Sequence, residues 1–380
     1  MGNMTDQKNL WLRSSLWDGF WMLSGIWLLV PLFAFLQTPK AIQTMLIVAT
    51  LILWLSHRFA TTYNAFCVPA YHELRKLYRT RFLIWPVSTI LATFVFVFAP
   101  LPLTTWEKVQ ILGTIFFLYN SYHFGVQHYG VLSIYRIRAG QGHAGWLKKY
   151  ERTYCLVVGA ILVAIAQVCH GAEVVSDSIL YNFLPRDLFS SLFAVLCLTI
   201  PPVIVALTVA FYIGELKSKP VSLPKILYVT GLMLQGILAY FLPPISFLIL
   251  WGVQHWLVSV ALSVHMTQND TSQAPAASRW YGFWGRFNKG FWPTVFVLGV
   301  ISIVLTPFFQ FAVHPEKLSS DARFLSFISP FITNAVIANL FIAINFSSVY
   351  IHFIMDRAIF RFSDPATRKV TATLLFAQKA

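Results

Sequence analysis

Ten stretches of 17 to 27 residues run through this chain almost free of charged side chains. At 1.5 Å per residue, about 20 apolar residues are what a helix needs to cross a bilayer's hydrocarbon core of roughly 30 Å. Inside lipid every backbone N–H and C=O must be satisfied by the protein itself, which leaves helices and closed barrels. These runs lack the alternation of barrel strands, so they select helices. The expected fold is all-α: a polytopic transmembrane helical bundle of about ten spans, forming one integral-membrane domain over residues 1–380. Only 11% of the residues are charged and 57% are apolar, where a soluble domain carries about 25% charged.

The expected spans are Leu16–Gln37, Ala41–His57, Leu83–Leu103, Val109–Tyr135, Thr153–Cys169, Leu188–Ile213, Ile226–Leu242, Ser246–Met266, Phe291–Ala312 and Phe331–Met355. Pro201 and Pro202 should kink the sixth, because proline removes a backbone donor and clashes with the preceding turn. Of the 28 Lys and Arg residues, 23 fall in one alternate set of connecting segments and 5 in the other. Basic residues collect on the cytoplasmic side of membrane spans, so both termini are expected in the cytoplasm of a multi-pass protein of a bacterial-type inner (plasma) membrane. The same rule accounts for the net charge of +14 without a nucleic-acid partner. Segments Arg58–Phe82, Arg136–Arg152 and Thr267–Gly290 become inner loops. The first of them, with Tyr71, Leu74, Leu77 and Tyr78 among Arg75, Lys76, Arg79 and Arg81, reads as an interfacial amphipathic segment or as an ordinary basic loop. The polar N-terminus leads into an apolar run with no small-residue cleavage site, so that run reads as a retained anchor. Cys67, Cys155, Cys169 and Cys197 contain no CxxC pair, and neither a disulfide framework nor a thiolate metal site is expected.

An ionisable residue within a span is costly and marks function by default. His72 and His143 fall in inner loops and His170 and His314 in outer ones, as solvated or interfacial residues. The other six, His57, His123, His128, His255, His265 and His352, all fall between the bilayer midplane and the inner surface. Counting from the inner end of the fourth span puts His128 about 10 Å and His123 about 18 Å deep, and His57 should close the second span. A shared site is the economical explanation. His265, beside the polar Thr267–Asp270 run, reads equally as an interface residue.

His123 and His128 project about 140° apart on an ideal helix, so one ion would not meet both. Either Gly125 permits a π-bulge or a close helix approach, or the two serve different metals, or one supports the other. Gly-Val-Gln-His-aromatic occurs twice, at Gly125–Tyr129 and Gly252–Trp256, with glycine for close packing, histidine for binding and glutamine for orientation. Asn345, Ser348, His352 and Asp356 share one helix face. Asp356 either orients His352 as a carboxylate behind a ligand or pairs with Arg357 or Arg361.

His57, His123, His128, His255 and His352 are therefore the candidate metal ligands, three or four of them binding directly. Gln127, Gln254, Asn345 and Asp356 are the candidate catalytic and orienting residues. Imidazole suits iron, copper, zinc and nickel. Spans poor in carboxylate disfavour a carboxylate-bridged di-iron site. No HxxxH or HxxHH box of the membrane desaturases occurs, and HExxH is absent. A histidine-ligated non-haem iron site would suit oxygen chemistry on a lipid-soluble substrate. Iron (Fe2+) is the first choice, with haem, copper and zinc also open.

The multi-span layout, the intrahelical histidines and the element His123-Phe124-Gly125 resemble the bacterial integral-membrane carotene-cleaving dioxygenases, from about the second helix to the last. The resemblance implies four histidines from different helices holding iron, and an apolar tunnel for a polyene. The additional histidines and the Gln-His pairs depart from that pattern. The expected partners are membrane lipid and a lipid-like small-molecule substrate, with a homo-oligomer left open. Two other readings use the same residues: a haem-binding cytochrome or quinone-linked electron-transfer protein, and a metal- or proton-coupled transporter.

Overall fold

A computed structural model describes residues 10–36, 40–141, 145–169, 186–272, 278–311 and 334–377, and their regular structure is entirely helical. In chain order the helices are α1 (Ser15–Trp21), α2 (Ser24–Trp27), α3 (Leu29–Leu36), α4 (Lys40–Cys67), α5 (His72–Leu77), α6 (Trp85–Phe98), α7 (Thr105–Arg138) and α8 (Trp146–Leu156). They continue with α9 (Leu162–Cys169), α10 (Arg186–Lys217), α11 (Leu223–Leu238), α12 (Pro244–Gln268), α13 (Arg279–Trp284), α14 (Phe291–Phe311), α15 (Ala335–Ile359) and α16 (Pro365–Phe376). Five-residue π-turns lead into α6 at Thr80–Ile84 and join α8 to α9 at Val157–Ile161.

Each of the ten apolar runs is mostly helix where it is described, with a break at Met22–Leu23 in the first and helix ends at Phe98 in the third and Leu238 in the seventh. Five helical segments are long and apolar enough to cross a membrane: Thr80–Phe98, Trp146–Cys169, Ser191–Lys217, Ile249–Gln268 and Ala335–Ile359. A bent pair, Ser15–Trp21 and Ser24–Ala34, makes a sixth if it is one broken span, with 57° between its halves. Such helices are those of a multi-pass membrane protein. Leu198, Val30, Val95 and Val336 stand exposed on them, as apolar residues facing acyl chains would. At 34 residues α7 is about 51 Å long, but Asn120, Ser121, His123, Gln127 and His128 dilute its hydropathy. It therefore falls outside that set, and three of the residues that lower its apolar character, His123, Gln127 and His128, are candidate site residues.

Several ends differ from the expected ones for physical reasons. The second run does not stop at His57. Helix α4 continues to Cys67, its polar continuation paired within the protein: Asn64 Nδ2 donates to the Ser263 carbonyl at 3.1 Å, and the Thr267 hydroxyl donates to Asn64 Oδ1 at 2.9 Å. The first ten residues of the expected loop Arg58–Phe82 thus belong to α4, and short helical turns follow that bury Tyr71 and Leu74 and expose Leu77. Helix α6 ends at Phe98, short of Leu103, because Pro100 forces Ala99 into extended backbone at φ −60°, ψ 141°. Helix α8 begins at Trp146, so the basic residues Lys148, Lys149 and Arg152 lie within it. Helix α10 runs through Pro201 and Pro202. His143, His170 and His314 lie outside the described residues.

Two compact units divide the chain. The unit of Met1–Thr44 and Phe117–Val258 has a core of Leu32, Phe124, Val163, Ala166, Tyr240, Phe247, Leu250 and Trp251. It also holds a buried charge network: Lys225 Nζ lies 2.5 Å from Glu151 Oε1 and 2.6 Å from Glu215 Oε2, all three side chains fully buried. Arg136 pairs with Glu151, and Gln141 bridges Lys225 and Glu215 at 2.9 and 2.7 Å. Two cations thus meet two carboxylates. Buried charge survives only when paired in this way.

The unit of Met45–Phe116 and Ser259–Ala380 has one apolar cluster of Val97, Val109, Leu112, Ile342, Ala343 and Phe346, and a second around Ala60, Tyr63, Val260, Val264 and Leu298. His265 Nε2 donates to the Leu375 carbonyl at 3.0 Å, and Asn269 Nδ2 donates to the Leu374 carbonyl at 2.8 Å. His265, read equally as an interface or a site residue, lies outside the four-histidine group and holds α16 in place. Asp364 caps that helix, accepting from the Thr367 N–H and from the Tyr78 hydroxyl. Those bonds, the backbone one foremost, hold its carboxyl down at about 2.

Candidate metal centre

Within the first unit, His123 on α7 and His255 on α12 approach with ring centroids 5.1 Å apart and planes at 80°. His255 is fixed by stacking. Phe124 lies 3.7 Å from its ring at 14° and 3.8 Å from Trp251 at 29°, so the phenyl is held between an indole and an imidazole one turn apart. Gln127 Nε2 donates to the His255 main-chain carbonyl at 3.2 Å. The repeated motif therefore works in a way that spacing did not reveal: this glutamine orients the partner motif's backbone and not an imidazole.

Gly125 does bring helices close. A methyl group there would sit 3.1 Å from the Cys155 carbonyl and from Leu156 Cα. Gly252 does something else, because a methyl group there would sit 2.8 Å from the Trp256 ring one turn on. No π-bulge forms between His123 and His128, since α7 is regular throughout. The π-turn is on the neighbouring segment instead, and His128 packs on it: a methyl group at Gly159 would lie 2.9 Å from His128 Cδ2. His128 Nδ1 is 2.7 Å from the Tyr228 hydroxyl.

Within the second unit, His57 on α4 and His352 on α15 are closer still, with ring centroids 4.0 Å apart at 66°. Asp356 Oδ1 lies 3.4 Å and Thr61 Oγ1 3.5 Å from His352 Nδ1. Asp356 thus stands behind His352, the first of its two expected roles. Asn345 has a different task, accepting at 2.8 Å from Arg58 Nη1, which also reaches the Ser348 hydroxyl at 3.2 Å. The Arg58 guanidinium lies 3.5 Å over the Trp54 ring.

One ligand atom from each of His57, His123, His255 and His352 lies within 4.8 Å of the others. All four side chains are buried, none more than 7% exposed. Metal–imidazole bonds are about 2.0–2.1 Å long, and a group of this kind could hold a metal ion. Neutral imidazole is the ligand form, and a four-imidazole set leaves an ion's positive charge uncompensated. Asp356, beside His352, is the acidic group that would answer that charge. His128, the fifth candidate ligand, is outside the group and bonded to Tyr228.

Sequence reasoning missed Thr61, Tyr228, Trp251 and Arg58. Thr61 follows His57 by one helical turn and would have been found had α4 been read past His57. Nothing in the spacing signals Tyr228. No protein family model, no curated protein and no solved structure matches this chain.

Proposed function

We propose that this protein is an integral-membrane, iron-dependent oxygenase acting on a lipid-soluble substrate, the reading that the resemblance to the carotene-cleaving dioxygenases also favours. The observation that carries it is the grouping of four buried imidazoles from four different helices. Iron bound by such a set would retain open positions and supply the means to activate oxygen. His57, His123, His255 and His352 bind it, and Asp356 and Thr61 fix the tautomer and ring plane of His352. The Trp251–Phe124–His255 stack holds His255 rigid and keeps bulk water from the ligands. Arg58, tethered by Asn345, is a fixed positive charge one residue from a ligand.

Four imidazole nitrogens grouped within 4.8 Å of one another would leave little room for a porphyrin, which supplies four nitrogens of its own; this weighs against the haem reading. In the same proposal all ten apolar runs span an inner (plasma) membrane with both termini cytoplasmic, supported by the distribution of 23 basic residues against 5. The test is purification in detergent, metal analysis, and oxygen uptake after loading the stripped protein with Fe2+ or Zn2+ in the presence of polyenes. Uptake that requires iron and an apolar substrate is expected. A protein that binds no transition metal, or that takes up no oxygen with any such substrate, refutes the proposal.

A further inference from the structure

The first apolar run is broken. Its helix stops at Trp21, restarts for a single turn at Ser24–Trp27, and continues from Leu29. The carbonyls released at the break are taken by side chains: Trp27 Nε1 donates to Phe20 O at 2.8 Å and the Ser24 hydroxyl donates to Trp21 O at 3.1 Å. Broken helices at membrane depth are tolerated where they line a site or are covered by protein. Here the break is pressed against α11, with a methyl group at Gly231 falling 3.7 Å from the Gly25 carbonyl carbon.

Two glutamines meet over that point. A methyl group at Gly25 would lie 2.8 Å from Gln235 Nε2 and 3.0 Å from Gln254 Cδ and Nε2. Each glutamine is 1% exposed. Gln235 Nε2, Gln235 Oε1 and Gln254 Oε1 find no hydrogen-bond partner among the described residues. Buried amide groups are almost always paired, and an apolar side chain of the same size would be cheaper here than two amides with nothing to bind. Trp251 Nε1, one turn before His255 on the same helix, is likewise buried and unpartnered.

We infer that Gln235 and Gln254 form a buried amide clamp for the hydroxyl end of an apolar, lipid-like molecule. A hydroxyl fits the inventory because it accepts from Gln235 Nε2 and donates to an amide oxygen, whereas a ketone accepts only and leaves both amide oxygens unmatched. Gln254 adjoins His255, so the clamp fixes one end of a molecule whose apolar body passes the histidine cluster. The role as substrate anchor rests on the proposed oxygenase reading; the binding itself does not.

The experiment measures equilibrium binding of a radiolabelled long-chain primary alcohol, and of the alkane of equal length, to metal-stripped protein in phosphatidylcholine nanodiscs, with protein-free discs subtracted. The wild type is expected to bind the alcohol at least about tenfold tighter than the alkane. In Gln235→Leu/Gln254→Leu, close in volume, the ratio should fall to about one. Gly25→Ala, which drives a methyl into the clamp, should weaken the alcohol alone. Equal affinity for the two probes in the wild type means that the amides hold only water, and overturns the inference without needing any variant to fold. So does a leucine variant that keeps the preference. Alcohol preference without iron-dependent oxygen uptake would sink the oxygenase reading and leave the clamp standing.

Discussion

Replacing Lys225 by methionine removes one of two cations from a fully buried set of four charges. The ammonium lies 2.5 Å from Glu151 and 2.6 Å from Glu215. A pair at the second distance attracts by about 6 kcal/mol at an effective dielectric of about 20, most of it offset by the cost of removing both ions from water. The variant, however, keeps that cost for Glu215 and loses the attraction. Glu215 retains only the Ser222 N–H at 2.8 Å and the Gln141 amide at 2.7 Å, while Glu151 keeps Arg136. Breaking a buried pair from one side costs about 3–5 kcal/mol. At about 2 °C per kcal/mol for a chain of this size, the melting temperature in detergent should fall by about 6–10 °C. Glu215→Gln on top of Lys225→Met restores neutrality and should recover at least half of the loss. A double-mutant cycle by thermal unfolding, with activity-independent readout, measures this. Additive losses in the double variant would show that the charges do not act as a network and would refute the reasoning.

Alanine at His57, His123, His255 or His352 should each strip the metal on purification, whereas His128→Ala should retain it, as read by elemental analysis; equal loss in all five would remove the four-ligand assignment. Asp356→Asn should weaken metal affinity by about 10–100-fold in a chelator titration, with Asp356→Glu recovering part of it. Gly159→Ala places a methyl 2.9 Å from His128 Cδ2 and should cost about 1–3 kcal/mol by overpacking, measured by thermal unfolding. Because the Asp364 carboxyl is held down at about 2, its capping contribution is complete above the ordinary carboxyl range near 3.9. It fades as pH falls toward 2. The stability gap between wild type and Asp364→Ala should therefore shrink across that window, and a gap independent of pH would contradict the capping role.

The helices were legible because lipid leaves an apolar run few alternatives, and each of the ten runs is mostly helix where it is described. Three of the four clustered histidines stood out as polar residues inside such runs. His57 was found too, but at the wrong place in its helix: Thr61 and Asn64 look like loop residues until Ser263 and Thr267, some 200 positions away, are seen to pair with Asn64. Asp356 could be placed on the face of His352 by spacing alone. Its approach to within 3.4 Å of His352 Nδ1 depends on three-dimensional packing. The glutamines of the two Gly-Val-Gln-His motifs were read as equivalents, yet Gln127 reaches a backbone carbonyl and Gln254 turns to Gly25 and Gln235. Rotation about a helix and the neighbour it meets are properties of the assembled bundle, and a motif five residues long carries neither.

The π-turn at Val157–Ile161 has a consequence for how this gene can change. Such a turn holds one residue more than an α-helix would use over the same rise, so α8 and α9 keep the phase of one regular helix in spite of the extra position. Deleting one residue there would let the helix run regularly with Glu151, Ala166 and Gln167 left on the faces they hold. A deletion within α8 itself has no such slack and would swing one end by about 100° about the axis, carrying Glu151 off its two cations. Within Val-Val-Gly-Ala-Ile the loss of a residue other than Gly159 should therefore be borne better than the same loss one turn earlier.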